Sequence, residues 1–157
     1  MEKELIASRI KTPDGTILWS RHVHDYVAYQ DSKTGEVYIL DGGTDYFKTS
    51  INVVPAKNVC IFSTAKWKTL RNYIIRYTQL LDKNRQPTGK SGFVRLSNMS
   101  DEHLNNLLDY LIEYGDNEKL QKYVIKEQRY RLANAIRIRE HDYTSELVEN
   151  IEHTKYD

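Results

Sequence analysis

Cysteine is nearly missing from this sequence. The single Cys60 excludes an internal disulfide, and its place in the run Val59-Cys60-Ile61-Phe62 predicts a buried, inert thiol. Long apolar runs are missing too. Nothing approaches the roughly 20 apolar residues of a transmembrane helix, so no membrane partner is expected. The start Met1-Glu2-Lys3-Glu4 lacks the apolar stretch of a secretion signal, which predicts a cytoplasmic protein. Charge of one sign is the next absence. The 23 Lys and Arg nearly cancel the 22 Asp and Glu, which argues against the broad positive field of a duplex-binding protein. Nucleic acid is therefore an unexpected partner, and any anion site has to be local. No Ser/His/Asp elbow, His-Glu-x-x-His, Cys-x-x-Cys or Gly-x-Gly-x-x-Gly pattern occurs, so the familiar catalytic signatures lend no support to an enzyme. Gly89-Lys90-Ser91 resembles half of a phosphate loop, but Asn84 stands where the leading glycine is needed.

What is present describes a folded chain. With 157 residues there is room for one core, so residues 1–140 are expected to form a single α+β ligand-binding domain and residues 141–157 a polar tail or short helix. An apolar fraction of 39% beside 29% charged residues sets the chain apart from disordered proteins. Leu5 to Ile10 and a β-rich run from Thr16 to Tyr29 flank the turn Pro13-Asp14-Gly15 and predict a first hairpin. After Asp31-Ser32-Lys33-Thr34-Gly35, Glu36 to Leu40 adds a third strand, and Asp41-Gly42-Gly43 ends it. Asp45 to Ser50 is expected to form a short helical turn. Val59 to Phe62 and Asn72 to Thr78 add strands, Lys66 to Arg71 reads equally as helix, and residues 82–92 are expected to loop over the surface before a strand from Phe93 to Leu96.

The second half has helical signals. Ser100 can cap a helix with Asp101 and Glu102 in its first turn, and Leu104, Leu107, Leu108, Leu111 and Ile112 make one apolar stripe that stops at Gly115. Asn117 can cap a second helix running through Arg131 toward Arg139, and a last short helix is expected around Glu146 to Ile151. Strands first and helices after them define an α+β fold: an N-terminal antiparallel β-sheet, a meander of hairpins, followed by two or three C-terminal helices.

The densest polar segment is Ser20-Arg21-His22-Val23-His24-Asp25-Tyr26. Strand alternation would put His22, His24 and Tyr26 on one face, with Arg21, Val23 and Asp25 on the other. Paired imidazoles can hold a metal, act as acid and base, recognise an anion or sugar, or simply bond to backbone in a half-buried sheet. A third metal ligand at suitable spacing is missing apart from scattered Asp41 and Asp45. The repeated His-x-Thr or His-x-Ser signature of two-histidine phosphoesterases is missing as well. Trp19, Trp67, Tyr73, Tyr77 and Phe93 are candidate stacking surfaces, and Arg76, Arg95, Arg129 and Arg131 candidate phosphate partners. Lys122, Lys126 and Arg129 form a basic face that is either solvated or a contact for a macromolecule.

Three segments in order, Arg9 to Thr16, Ser20 to Tyr26 and Asp41-Gly42-Gly43-Thr44-Asp45-Tyr46, resemble a family of small bacteriophage proteins carrying Ser-Arg-His-Arg-His-Asp-Tyr and Asp-Gly-Gly-Leu-Asp-Tyr, with Val23 standing where a basic residue is usual. The resemblance continues through Leu96 to Leu104 and a tyrosine-rich helix ending near Tyr130-Arg131, covering roughly residues 5 to 132. The chain is similar in these features to the phage anti-Thoeris sponges, which sequester cyclic ADP-ribose isomers made by TIR-domain enzymes. The resemblance implies a non-catalytic binder acting in the host cytoplasm, a homo-oligomer (dimer or hexamer), and no cofactor or metal. It implies ligand contacts from Arg21, His22, His24, Tyr77, Asn98, Arg129 and Arg131. A phosphodiesterase using His22 and His24, or a host-takeover protein using the basic face, are the alternatives.

Overall fold

Pro13, Asp14 and Gly15 reverse the chain between β1 (Leu5–Lys11) and β2 (Thr16–Ser20), which pair antiparallel with Ile10 opposite Leu18. The computed structural model that shows this describes residues 3–81, 84, 86–115, 117–139 and 148–153. Contacts divide the chain into two units, Met1–Tyr73 with Glu149–Asp157, and Ile74–Val148. The expected architecture is present: antiparallel sheet first, helices after it.

In the first unit β1 also pairs with β6 (Lys57–Asn58) and β7 (Ile61–Phe62), while β10 (Ile151–His153) lies along the other side of β2. A second sheet holds β3 (Val27–Gln30), β4 (Val37–Asp41) and β5 (Lys48–Thr49) in that order. Ile10 and Leu18 from the first sheet bury against Val27, Tyr38 and Leu40 from the second. Each such side chain contributes about 1.5–3 kcal/mol through removal from water. Trp19, 4% exposed, packs on Tyr73 at 5.5 Å between ring centres, and the Arg9 guanidinium lies 4.7 Å over the same Tyr73 ring. Two of the candidate stacking aromatics are thus engaged in packing. Cys60 is half-buried, bonds through Sγ to the Arg9 backbone, and has its thiol pKa pushed up by burial.

The turns of this unit are clamped by carboxylates. Asp14 accepts from Thr12 Oγ1, the Thr16 amide, Tyr29 OH and both the amide and hydroxyl of Ser32, at 2.6 to 3.0 Å. Asp31 accepts from the Asp14 amide and from Lys33 and Thr34. Burial opposes ionisation of Asp14, but the bonds from Tyr29, Ser32, Thr16 and Thr12 outweigh it and hold the carboxyl well below its usual range. Asp31 is lowered in the same way: burial opposes the charge, and the bonds from Asp14 and Thr34 outweigh it.

Several expected boundaries move. The run Thr16 to Tyr29 is two strands, not one, because Ser20 and Asp25 turn their side chains onto the backbone and break the ladder. Asp45 to Ser50 is not helical: Asp45 and Tyr46 amides donate back to Gly42 O, and the chain then enters β5. Lys66 to Arg71 contains the short helix α1 (Trp67–Leu70). At the C-terminal end, residues 151–153 are a strand, and the expected helix at 146–147 lies outside the described residues.

The second unit begins with the hairpin of β8 (Ile75–Leu81) and β9 (Pro87–Arg95). Much of the expected loop at 82–92 is therefore strand; residues 82, 83 and 85 lie outside the described residues. Pairing of Gln79 with Ser91 and Thr78 with Gly92 takes up Gly89-Lys90-Ser91, and Thr88 Oγ1 donates to Leu80 O where the register shifts. After a 3-10 turn at Leu96–Asn98, α2 (Asp101–Glu113) starts with Ser100 Oγ accepting from the His103 amide at 3.1 Å. Its buried residues are Leu104, Leu107 and Leu111. Asn117 caps α3 (Glu118–Ala133) through its side chain on the Leu120 amide at 3.0 Å. This helix stops at Ala133 instead of continuing toward Arg139. Ala135 takes φ +55, Ile136 donates to Arg131 O, and the Ile138 backbone bonds to Asp101. Among the described residues no helix is long and apolar enough to cross a membrane.

Candidate ligand-binding site

Two of the segments singled out in the sequence, Ser20 to Tyr26 and Asp41 to Tyr46, meet in the first unit. Residues 21–26 form a turn between β2 and β3, with the Asp25 amide donating to His22 O at 2.9 Å. Ser20, fully buried at the end of β2, donates through Oγ to Asp25 O at 2.8 Å and accepts from the Gly43 amide at 2.8 Å. The Asp25 carboxylate closes the turn: it accepts from the Arg21 amide at 2.9 Å, from Arg21 Nε at 2.8 Å and from Asn150 Nδ2 at 3.3 Å. Burial works against the Asp25 charge, and the Arg21 contacts overcome it, lowering the pKa.

Two glycines allow the close approach. At Gly43, φ is +56 and a Cβ would fall 2.4 Å from the His22 carbonyl carbon. At Gly42, φ is +102 and a Cβ would fall 2.1 Å from Tyr46 O. Only glycine fits both the left-handed backbone and the missing space.

This support holds His22 and His24 in solvent, their rings edge to face with centroids 6.4 Å apart. The His24 amide donates to His22 Nδ1 at 3.2 Å. Nδ1 is then an acceptor, so the neutral ring carries its proton on Nε2. In that tautomer the Nε2–H of His22 is a group that suits a phosphate or hydroxyl oxygen. Tyr26, 58% exposed, and Tyr46, 47% exposed, belong to the same two segments and offer aromatic faces. Tyr46 OH donates to Asp41 Oδ2 at 3.3 Å. Histidines expected on one face of a strand therefore sit on a braced turn.

The remaining candidates separate. Arg21 is in the first unit, and its guanidinium is occupied by Asp25. Tyr77, Asn98, Arg129 and Arg131 belong to the second unit. Tyr77 is 62% exposed on the β8–β9 hairpin, with its ring 5.2 Å from that of its cross-strand partner Phe93. Asn98 is half-buried in the 3-10 turn, and Arg129 is exposed on α3. Arg131 is 3% exposed. Its Nε donates to Glu127 Oε2 and its Nη1 to Asp101 Oδ1, both at 2.8 Å, while Nη2 donates to Leu96 O and Ser97 O. The phosphate role expected for Arg131 is at odds with this burial: its guanidinium is an internal strut joining α3, α2 and the 3-10 turn.

Sequence reasoning missed Asn150 and the Ser20–Gly43 contact. The signal for the latter lay in the single Gly-Gly pair, Gly42-Gly43, downstream of the serine-led motif; for Asn150 there was none. Among the described residues, no group of three or more His, Cys, Asp or Glu is placed to hold a metal ion. Compared with known proteins, the chain matches no family model, no curated protein and no solved structure.

Proposed function

We propose that this protein binds a cyclic nucleotide of the cyclic ADP-ribose class and holds it intact, so that a TIR-derived immune signal is withdrawn from its effector in the phage-infected host cytoplasm. The carrying observation is the braced turn that presents the exposed His22 and His24 side by side, with the His24 amide donating to His22 Nδ1. An imidazole donor suits phosphate and ribose oxygens, and the neighbouring tyrosines suit a planar base. Binding needs no more than this. A homo-oligomer is part of the same reading.

The test is to incubate the protein with a cyclic ADP-ribose isomer, measure uptake by calorimetry, denature the complex and identify the released molecule by mass spectrometry. Stoichiometric recovery of intact ligand is the expected result. Recovery of hydrolysed product would replace this reading with a phosphodiesterase, and absence of uptake would end it.

A further inference from the structure

The near-neutral charge of the whole chain conceals an uneven distribution. Between Tyr46 and Ser100 there are ten Lys and Arg and a single acidic residue, Asp82, so the carboxylates that restore the balance lie in the flanking sequence. An anion drawn to this stretch meets little repulsion. In the second unit the stretch contains the β8–β9 ribbon, a two-stranded sheet whose strands hold Arg76, Lys90 and Arg95 and no acidic residue.

Strand alternation gives the ribbon two faces. Leu80 and Val94, 4% and 3% exposed, bury one of them. The other carries Ile75, Tyr77 and Gln79 of β8 directly opposite Arg95, Phe93 and Ser91 of β9. On it Tyr77 is 62% exposed although its ring already meets that of Phe93 at 5.2 Å, and Gln79 and Ser91 are exposed beside it. Lys90, next to Ser91, is exposed as well. An aromatic ring standing in water among hydrogen-bonding and cationic side chains is a stacking platform.

These features discriminate among polyanions. An anionic lipid surface needs apolar side chains to penetrate it, whereas polar Gln79 and Ser91 flank the ring here. An acidic protein segment would use the cations and leave the ring without a planar partner. Duplex bases are stacked on one another, while those of a single strand are free to lie on an aromatic face as the phosphates meet Lys and Arg. We infer that the open face of the β8–β9 ribbon binds single-stranded nucleic acid, with a base stacked on Tyr77 beside Phe93 and phosphates drawn to Lys90 and Arg95. This surface shares no residue with the histidine turn and does not depend on the ligand proposed for it.

Fluorescence anisotropy of the full chain with labelled oligothymidylate and oligouridylate of about 20 nucleotides tests the inference, with heparin and a DNA duplex as unlabelled competitors. Binding is expected, and a difference between the two strands identifies DNA or RNA as the source. Raising salt from about 50 to 200 mM should weaken binding at least about sevenfold, as two phosphate contacts imply. Tyr77→Ala should weaken it at least about fivefold with an unchanged circular-dichroism melting curve, and Tyr77→Phe should retain it. Should Tyr77→Ala fail to fold, Lys90→Ala is expected to reduce the slope of log affinity against log salt by about 0.7. Absence of binding to either strand at the lowest salt overturns the inference. So does a duplex or heparin that competes better than the unlabelled single strand, or a folded Tyr77→Ala that binds like wild type.

Discussion

The Gly43 amide donates to Ser20 Oγ at 2.8 Å, and this contact between residues 23 positions apart sets where His22 stands. Gly43 lies so close beneath the turn that any side chain would strike the His22 carbonyl. Gly43→Ala should therefore displace the histidine turn. The left-handed backbone alone costs about 1–2 kcal/mol for alanine, and the clash adds to it. Thermal melting should fall by several degrees, and uptake of a cyclic ADP-ribose isomer should be lost. A variant that melts and binds like wild type would show that the contact does not position the turn.

Replacing His22 and His24 together by alanine removes two exposed side chains, so stability should change by no more than about 0.5 kcal/mol. Ligand uptake, measured by calorimetry on the folded double variant, should disappear. Retained uptake would place the binding site elsewhere.

Arg129 and Arg131 should behave in opposite ways, although they are two positions apart. Arg131→Ala removes the Arg131 ion pair from Glu127, which is fully buried. Breaking a buried pair costs about 3–5 kcal/mol, so the urea midpoint should drop sharply while binding per folded molecule persists. Arg129→Ala should leave the midpoint within about 0.5 kcal/mol of wild type, and any loss of affinity then reports a ligand contact.

The carboxylate clamps make stability depend on acid. Asp14, Asp25 and Asp31 all have folded pKa values below their ordinary ones. Each contributes stability that is fully present above the unfolded value, near about pH 4, and lost as pH falls through the depressed folded value. Urea midpoints should hold from neutral pH down to about pH 5 and decline below it. Asp14→Asn should lower the midpoint by about 2 kcal/mol at neutral pH and flatten the acid decline. An acid limb as steep in Asp14→Asn as in wild type would remove this clamp as its source.

The helices were legible because their signals are local. Ser100 and Asn117 cap within three residues, and the Leu104, Leu107, Leu111 spacing names the buried face directly. Strand limits were less so, since β-rich composition from Thr16 to Tyr29 says nothing of the Ser20 and Asp25 side chains bonding to backbone. The histidine segment was visible as a motif, but its bracing by Gly43 and Asn150 spans contacts of 23 and 125 positions that no window of sequence displays. Ile151-Glu152-His153 carries almost no β signal of its own. It becomes a strand because β2 has an open side to offer.

That last pairing binds two segments far apart in sequence into one folding event. β2 is made long before its partner, for the edge opposite β1 is completed only by residues 151–153, and Asn150 reaches Asp25 from the same segment. Until the ribosome has delivered them, β2 presents unpaired amides and carbonyls to its surroundings, a template for mispairing with other strands. The histidine turn should accordingly reach its final bracing only after residues 150–153 have left the ribosome.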